Sequence, residues 1–480
     1  MPRCKTGQIT VREGIDMGIQ RAETLKKNKV KEFFLAIKNG SIWTKLSCLF
    51  MGAGQIARKQ FLKGALYLLL EIAFILYLIF FGVGYLAKLG TLGTVKSSEV
   101  WNDETGVYDK IQGDNSFLIL LYSVVTLILI VLFIVFWLMN VRGNIENDKK
   151  IAEGLGVSTL KQDFNEFLNQ KLYIPLLVPP FIGLLVFTVM PLIFMILIAF
   201  TNYDQQHLPP GNLFTWVGFE NFKLLFSGGL SSSGSFLATF LRVLLWTLVW
   251  AFFATFTNYF LGMIVALMIN KKGIKFKKVF RTMFVIAIAV PQFVTLLLMQ
   301  KILDVDGILN VVLGTKIRWL ADTRWNSLIP RIVIIVVNIW IGVPYTLLMC
   351  SGILMNIPAD YSEAARIDGA STVQIFFKIT LPYMLHVTGP HLITQFVGNI
   401  NNFNIIWLLT GGGPIDINNY TDQAQSTDLL VTWLYRLSTD NPVRYNIASV
   451  IGIIIFVISA SMSLITYNRS SSAKNEEDYQ

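Results

Sequence analysis

The stretch EAARIDGASTVQIFFKITLP, Glu363 to Pro382, is a polar segment set between two long apolar runs. Asp360 and Glu363 have the spacing of a capping box, which predicts a short helix starting near Tyr361. Gly369 offers the left-handed position that stops it. Ser371 and Gln374 repeat the capping spacing at once, and Ile375, Phe376 and Ile379 give the second helix an apolar face until Leu381-Pro382 ends it. Two short helices joined at a glycine suit a docking element for a cytosolic partner. An ordinary capped loop between membrane helices is the plainer alternative.

The rest of the chain is membrane-like. Of its 480 residues 54% are hydrophobic and 15% charged, against about 25% charged in soluble domains, and the mean hydropathy is +0.56. Apolar runs close to the ~20 residues needed to cross a bilayer occupy 64–87, 117–139, 176–200, 243–269, 282–303, 331–354, 385–410 and 446–467. These predict an all-α polytopic membrane protein of about eight transmembrane helices. The expected organisation is a basic N-terminal segment 1–63, a two-span hairpin 64–140, a mixed-charge linker 141–172, a six-span core 173–468 carrying the polar loop 358–382, and a polar, disordered tail 469–480. Within the N-terminal segment, 41–60 has the pattern of an interfacial amphipathic helix.

The formal charge of +10 does not indicate nucleic acid, because the basic residues cluster where the positive-inside rule puts them. Lys26, Lys27, Lys29, Lys31, Lys38, Arg58 and Lys59 precede the first span, and Lys271 to Arg281 holds no acid. Both segments are expected in the cytosol. The loop from Lys88 to Ser116 carries Glu99, Asp103, Glu104, Asp109 and Asp114 and is expected outside. Counting spans then puts both termini and the loop 358–382 inside, with Lys316, Arg318 and Arg324 a mild exception in an external loop. The first residues are too polar for a cleavable signal peptide, so the first span reads as an uncleaved anchor.

Several chemistries find no support. Cys4, Cys48 and Cys350 are widely spaced, and His207, His386 and His391 lack obvious carboxylate or cysteine partners, so neither zinc nor redox chemistry is indicated. A phosphate-binding glycine loop followed by Lys-Ser or Lys-Thr is absent, so the chain is not expected to hydrolyse ATP itself. An ion-coupled carrier would need titratable groups deep in its spans. Glu71 is the one acid found inside a span, and it lies near the cytosolic end, where interfacial packing is at least as good a reading. A membrane-embedded enzyme would need convergent acids, histidines or a metal site. Pro179, Pro180 and Pro191 mark the third span, and Pro291 predicts a kink in the fifth.

The seventh span is unusually polar. Its stretch QFVGNINNFNIIWLLTGGGP sets Gln395, Asn399, Asn401, Asn402 and Asn404 at membrane depth, and Gln395, Asn399 and Asn402 recur on one helix face. Each amide both donates and accepts, so an uncharged amide face suits sugar hydroxyls, with Phe396, Phe403 and Trp407 as stacking surface. Interhelical hydrogen bonding is the alternative use of such a face.

The pattern Glu363-Ala364-Ala365, Gly369, Ile379, Leu381-Pro382 resembles the EAA loop of the membrane subunits of binding-protein-dependent ATP-binding-cassette (ABC) importers, whose coupling helix seats on a cytosolic ATPase. AVPQF (289–293), VNIWIGVPY (337–345), NINNF (399–403), LLTGGGP (408–414) and TDLLV (427–431) extend the resemblance to the larger permease subunit of the maltose and maltodextrin importers. That resemblance implies a bacterial plasma-membrane permease with no cofactor of its own. Its implied partners are a second permease, an ABC ATPase dimer, an extracellular or periplasmic sugar-binding protein and membrane lipid. It also implies sugar contacts at Ile288 and Gln292 in the fifth span, at Asn338, Ile341 and Gly342 in the sixth, and at Gln395, Gly398, Asn399 and Asn402 in the seventh. Where the family has an aromatic and small hydroxyl residues, this chain has Ile288, Gln292, Gln395 and Gly398. The long external domain that some relatives carry between the third and fourth spans is replaced by a short loop, Thr201 to Leu241.

Overall fold

A computed structural model of the chain describes residues 31–103, 106–226, 235–271 and 273–469. Residues 1–30 of the basic head, Glu104 and Thr105, 227–234, Lys272 and the tail beyond Arg469 lie outside the described residues. The chain divides into two compact units, Met1–Phe194 and Met195–Gln480.

In the first unit, the expected amphipathic segment forms two short helices, α1 (Ile42–Leu49) and α2 (Ala53–Ala57). The spans α3 (Phe61–Lys88) and α4 (Ser116–Ala152) follow. Ile42, Trp43 and Leu49 of α1 are exposed while Thr44 and Ser47 are buried. The polar face turns inward because α4 carries polar groups that need partners inside an apolar bundle. Thr44 donates to Asp148 Oδ2 at 2.6 Å, Gln55 donates to Asn140 Oδ1 at 2.9 Å, and Arg58 reaches both Asn144 and Asp148. Glu71, 8% exposed, accepts the Met51 N–H at 2.8 Å, which is the packing role weighed for it above.

Between α3 and α4 the helical chain carries one short ribbon. Strands β1 (Ser98–Asn102) and β2 (Val107–Ile111) pair antiparallel, with Ser98 opposite Ile111. Valines and aromatics favour a pleated ribbon, and the Trp101 and Tyr108 rings meet across it at 5.0 Å. The protein is mostly helical. Helix α4 also runs on to Ala152, well into the segment read as a linker, and α5 (Leu160–Asn169) and α6 (Tyr173–Ile198) complete the first half.

The second unit, entered near the end of α6, contains α7 (Glu220–Phe226), α8 (Phe236–Asn270), α9 (Lys277–Ala289), α10 (Gln292–Ile302), α11 (Ile308–Leu313) and α12 (Arg324–Met355). Then come α13 (Ala359–Ile367), α14 (Thr372–Ile375), α15 (Leu381–Ile400), α16 (Phe403–Thr410), α17 (Leu430–Thr439) and α18 (Tyr445–Arg469). Its core is apolar and aromatic, with Trp250, Trp433 and Leu347 fully buried.

Among the described residues six helices are long and apolar enough to cross a membrane, or seven if α9 and α10 form one span bent by 89°. The other expected spans, the fifth and the seventh, are broken, each with a chemical cause. Val290 is extended (ψ 124°) before Pro291, as the proline ring demands of its predecessor, and the fifth span breaks there. The seventh span breaks at Asn401-Asn402, where Asn402 caps α16, and the polar content of α15 keeps that segment short of an apolar span.

Candidate functional site

A cavity of about 510 Å3 lies among α8, α10, α12, α15 and α16. Gln292, Asn338, Ile341, Gly342, Gln395, Asn399 and Asn402 all line it. Ile288 and Gly398 do not. Ile288 stands on α9, before the 89° bend. Gly398 is exposed with open space about its Cα and sits one residue, about 100°, round the helix from Asn399.

Helix α8 supplies a wall that reading the sequence missed: Ala254, Thr255, Asn258 and Tyr259. The signal was present in TFTNY, 255–259, a polar interruption of an apolar run whose members fall three and four residues apart. Tyr345, Thr346 and His391 add further polar groups. The lining holds no carboxylate, lysine or arginine.

The amides are partly engaged by the protein itself. Asn399 donates to Thr255 Oγ1 at 2.9 Å, which ties α15 to α8, and the Trp250 indole N–H donates to the Asn399 carbonyl at 3.1 Å. Asn402 donates to Asn399 Oδ1 at 3.3 Å and accepts the Ile405 N–H at 3.3 Å, capping α16. Asn338 donates to the Ala254 carbonyl at 3.4 Å. Interhelical bonding, the alternative weighed for these amides, is thus realised at Asn338 and Asn399. The side chains of Gln292 and Gln395 make no hydrogen bond among the described residues. Asn258 Oδ1 is buried without a partner. A Cβ on Gly342 would stand 2.1 Å from Asn258 Nδ2, so a larger residue there would have to displace that amide. Such a lining can hydrogen-bond an uncharged polar solute and gives no counter-charge to an ion.

The polar loop is an exposed element following α12. Helix α13 begins at Ala359, earlier than the capping spacing predicts, and its cap residue Pro358 makes no side-chain hydrogen bond. Proline just before the first turn presets the backbone, so the Asp360–Glu363 pair is not used as a box. Gly369 has φ +81°, the left-handed stop expected of it. Ser371 and Gln374 form the second box, with the Gln374 N–H reaching Ser371 Oγ at 3.3 Å and the Ser371 N–H reaching Gln374 Oε1 at 2.8 Å. Leu381-Pro382 does not end that helix. A π turn, Phe376–Thr380, carries it into α15 and widens the coil where the proline ring would meet the preceding turn. Glu363 and Ala364 are exposed, and Tyr361, Ile367, Val373 and Phe377 present apolar surface around them.

Broken membrane helices round an uncharged cavity, with an exposed glycine-jointed loop, are the parts of a transport subunit. A family model described as binding-protein-dependent transport system inner membrane component matches residues 258–471. The chain is 33% identical to the maltodextrin transport system permease protein MdxF of Bacillus subtilis (strain 168), with 96% of this chain and 100% of that protein covered. It is 34% identical to the maltodextrin transport system permease protein MalC of Streptococcus pneumoniae serotype 4 (strain ATCC BAA-334 / TIGR4), covering 88% of this chain and 94% of the other. Identity to the galactooligosaccharides transport system permease protein GanP of Bacillus subtilis (strain 168) is 33%, over 90% of this chain and 98% of the other. The chain belongs to the binding-protein-dependent ABC importer permeases, multi-pass subunits of the bacterial cell membrane. As a permease subunit it has no catalytic domain, and a partner ATPase hydrolyses the ATP that drives import.

Proposed function

We propose that this permease imports neutral oligosaccharides of the maltodextrin kind. The observation that carries the reading is the uncharged, amide- and hydroxyl-rich lining of the cavity, in which Gln292 and Gln395 have hydrogen-bonding capacity to spare. Similarity to two maltodextrin permeases supports the choice of sugar. Substrate hydroxyls would bond to Gln292, Asn338, Gln395, Asn399 and Asn402, with Ile341 and Gly342 shaping the wall. Ile288 and Gly398 lie off that wall in this conformation.

In the proposed complex the chain pairs with a second permease and an ABC ATPase dimer, and a sugar-binding protein delivers substrate to the outer mouth. Glu363, Ala364, Ala365 and Gly369 form the surface that seats on the ATPase, and Ile379, Leu381 and Pro382 join it to α15. Both termini are cytosolic. ATP-driven closure of the ATPases moves the loop, and the spans exchange outward-facing for inward-facing states around the cavity.

Uptake of labelled maltopentaose into proteoliposomes holding the whole complex and its binding protein tests the substrate. We expect ATP-dependent uptake that unlabelled maltotriose suppresses and galactotetraose does not. Similarity to a galactooligosaccharide permease supports a second reading, and uptake of labelled galactotetraose but not of labelled maltopentaose would replace the first with it.

A further inference from the structure

A second cavity, of about 520 Å3, opens between α8 and α12 away from the transport path. The two helices run side by side in the same direction, with Arg242 and Arg331 together near their N-terminal ends and Asn258 against Gly342 further along. The polar cavity is on the other side of α8, because Thr255 follows Phe253 by two residues, about 200° round the helix. The C-terminal end of α12 leads into the polar loop, so the arginines stand toward the opposite membrane face.

The walls of this cavity are sorted by polarity. Leu245, Val249, Phe253, Ile332 and Val336 make one part, all exposed and all apolar. Arg242 and Arg331 make the other. Arg331 donates through Nε and Nη2 to the Ser426 carbonyl at 3.2 and 2.8 Å and through Nη2 to the Tyr420 hydroxyl at 2.7 Å, and it lies over the Trp246 ring at 4.8 Å. Arg242 donates to the Asn419 carbonyl. Every one of these acceptors is neutral, and among the described residues neither guanidinium has a carboxylate partner.

Two positive charges share one cavity at the border of the apolar zone. Arg242 lies about 9 Å and Arg331 about 10 Å along their helices from the first residue. Charges at such a depth need an anion or water to offset desolvation. We infer that the cavity binds an anionic phospholipid, its phosphate between Arg242 and Arg331 and its acyl chains along Leu245, Val249, Phe253, Ile332 and Val336. A guanidinium pair matches a phosphate better than a single ammonium would, through paired N–H donors. A second membrane protein would have to bring an acid into the bilayer to do the same, whereas the lipid carries phosphate and apolar chain in the order the walls present them.

The test is native mass spectrometry of the assembled complex, delipidated and titrated with dioleoylphosphatidylglycerol or dioleoylphosphatidylcholine. The wild-type complex should retain a phosphatidylglycerol copy that phosphatidylcholine does not replace. Combined Arg242→Gln and Arg331→Gln should lose one copy per complex, and so should Val249→Trp, which fills the apolar wall and leaves both arginines in place. The second variant decides if loss of the Arg331 bonds prevents assembly. No preference between the two lipids in the wild type, or an unchanged count in the variants, overturns the site. Efficient disulfide cross-linking of Val336→Cys to a cysteine on the second permease would overturn it too, by showing protein where lipid is assigned.

Discussion

Asn402 carries two tasks that a single substitution need not remove together. Its Oδ1 caps α16 by accepting the Ile405 N–H, while its Nδ2 reaches Asn399 at the cavity wall. Asn402→Ser keeps an oxygen able to cap and deletes the amide. A lost hydrogen bond to a neutral ligand is worth about 0.5–1.5 kcal/mol, so uptake per assembled complex should fall about two- to tenfold while the amount of complex holds. Asn402→Leu also loses the cap, worth about 1 kcal/mol, and should lower the amount of complex as well. Quantifying both in one set of membranes separates the roles. Unchanged uptake per complex in Asn402→Ser removes the residue from the sugar path. That Gln395, Asn399 and Asn402 gather at one place was legible in the sequence, but not the break that sets Asn402 at the start of α16 rather than on the face of α15, nor the amides' partners. Thr255 and Asn399 are 144 positions apart in the chain, and only packing brings such residues together.

At the scale of elements, the polar loop follows local rules except where a neighbouring rule competes. Gly369 and the Ser371–Gln374 box behave as their short-range chemistry dictates, because a left-handed stop and an N-cap involve only a few consecutive residues. Pro358 displaced the first box, and the π turn absorbed Pro382. Nothing crowds Gly369, so substitution there acts through the backbone alone. Gly369→Ala should cost about 1 kcal/mol and Gly369→Val more, since a β-branched residue resists positive φ strongly. We expect Gly369→Val to reduce both recovery of the ATPase with the purified permease and transport. A cysteine placed at Tyr361 should cross-link to the ATPase in the wild-type background and less in that variant. Full assembly and transport by Gly369→Val would exclude the loop from coupling.

For the whole molecule the open matter is orientation. We expect the β1–β2 ribbon outside, from the acidic residues of its loop, and the polar loop inside, from the count of spans. In a chain with Cys4, Cys48 and Cys350 replaced by alanine, Trp101→Cys should react with a membrane-impermeant maleimide on intact cells. Tyr361→Cys should react only after the membrane is opened. Labelling of position 361 from outside would invert the topology and leave the loop unable to meet a cytosolic ATPase.

The sequence by itself determined that this is a polytopic helical membrane protein, where most spans lie, and where a polar loop of two short helices sits. Each of these is written in consecutive residues: apolar length, capping spacing, and the glycine or proline that punctuates it. Only the tertiary structure decided that the seventh span is broken and that the fifth turns through 89°, that a strand ribbon joins the first two, and that α8 forms a wall of the cavity. It also set two arginines, 89 positions apart in the chain, beside one apolar groove. Those features depend on which side of each helix meets which neighbour, and a few degrees of helix rotation, invisible in a hydropathy pattern, decide whether a side chain faces cavity, core or lipid.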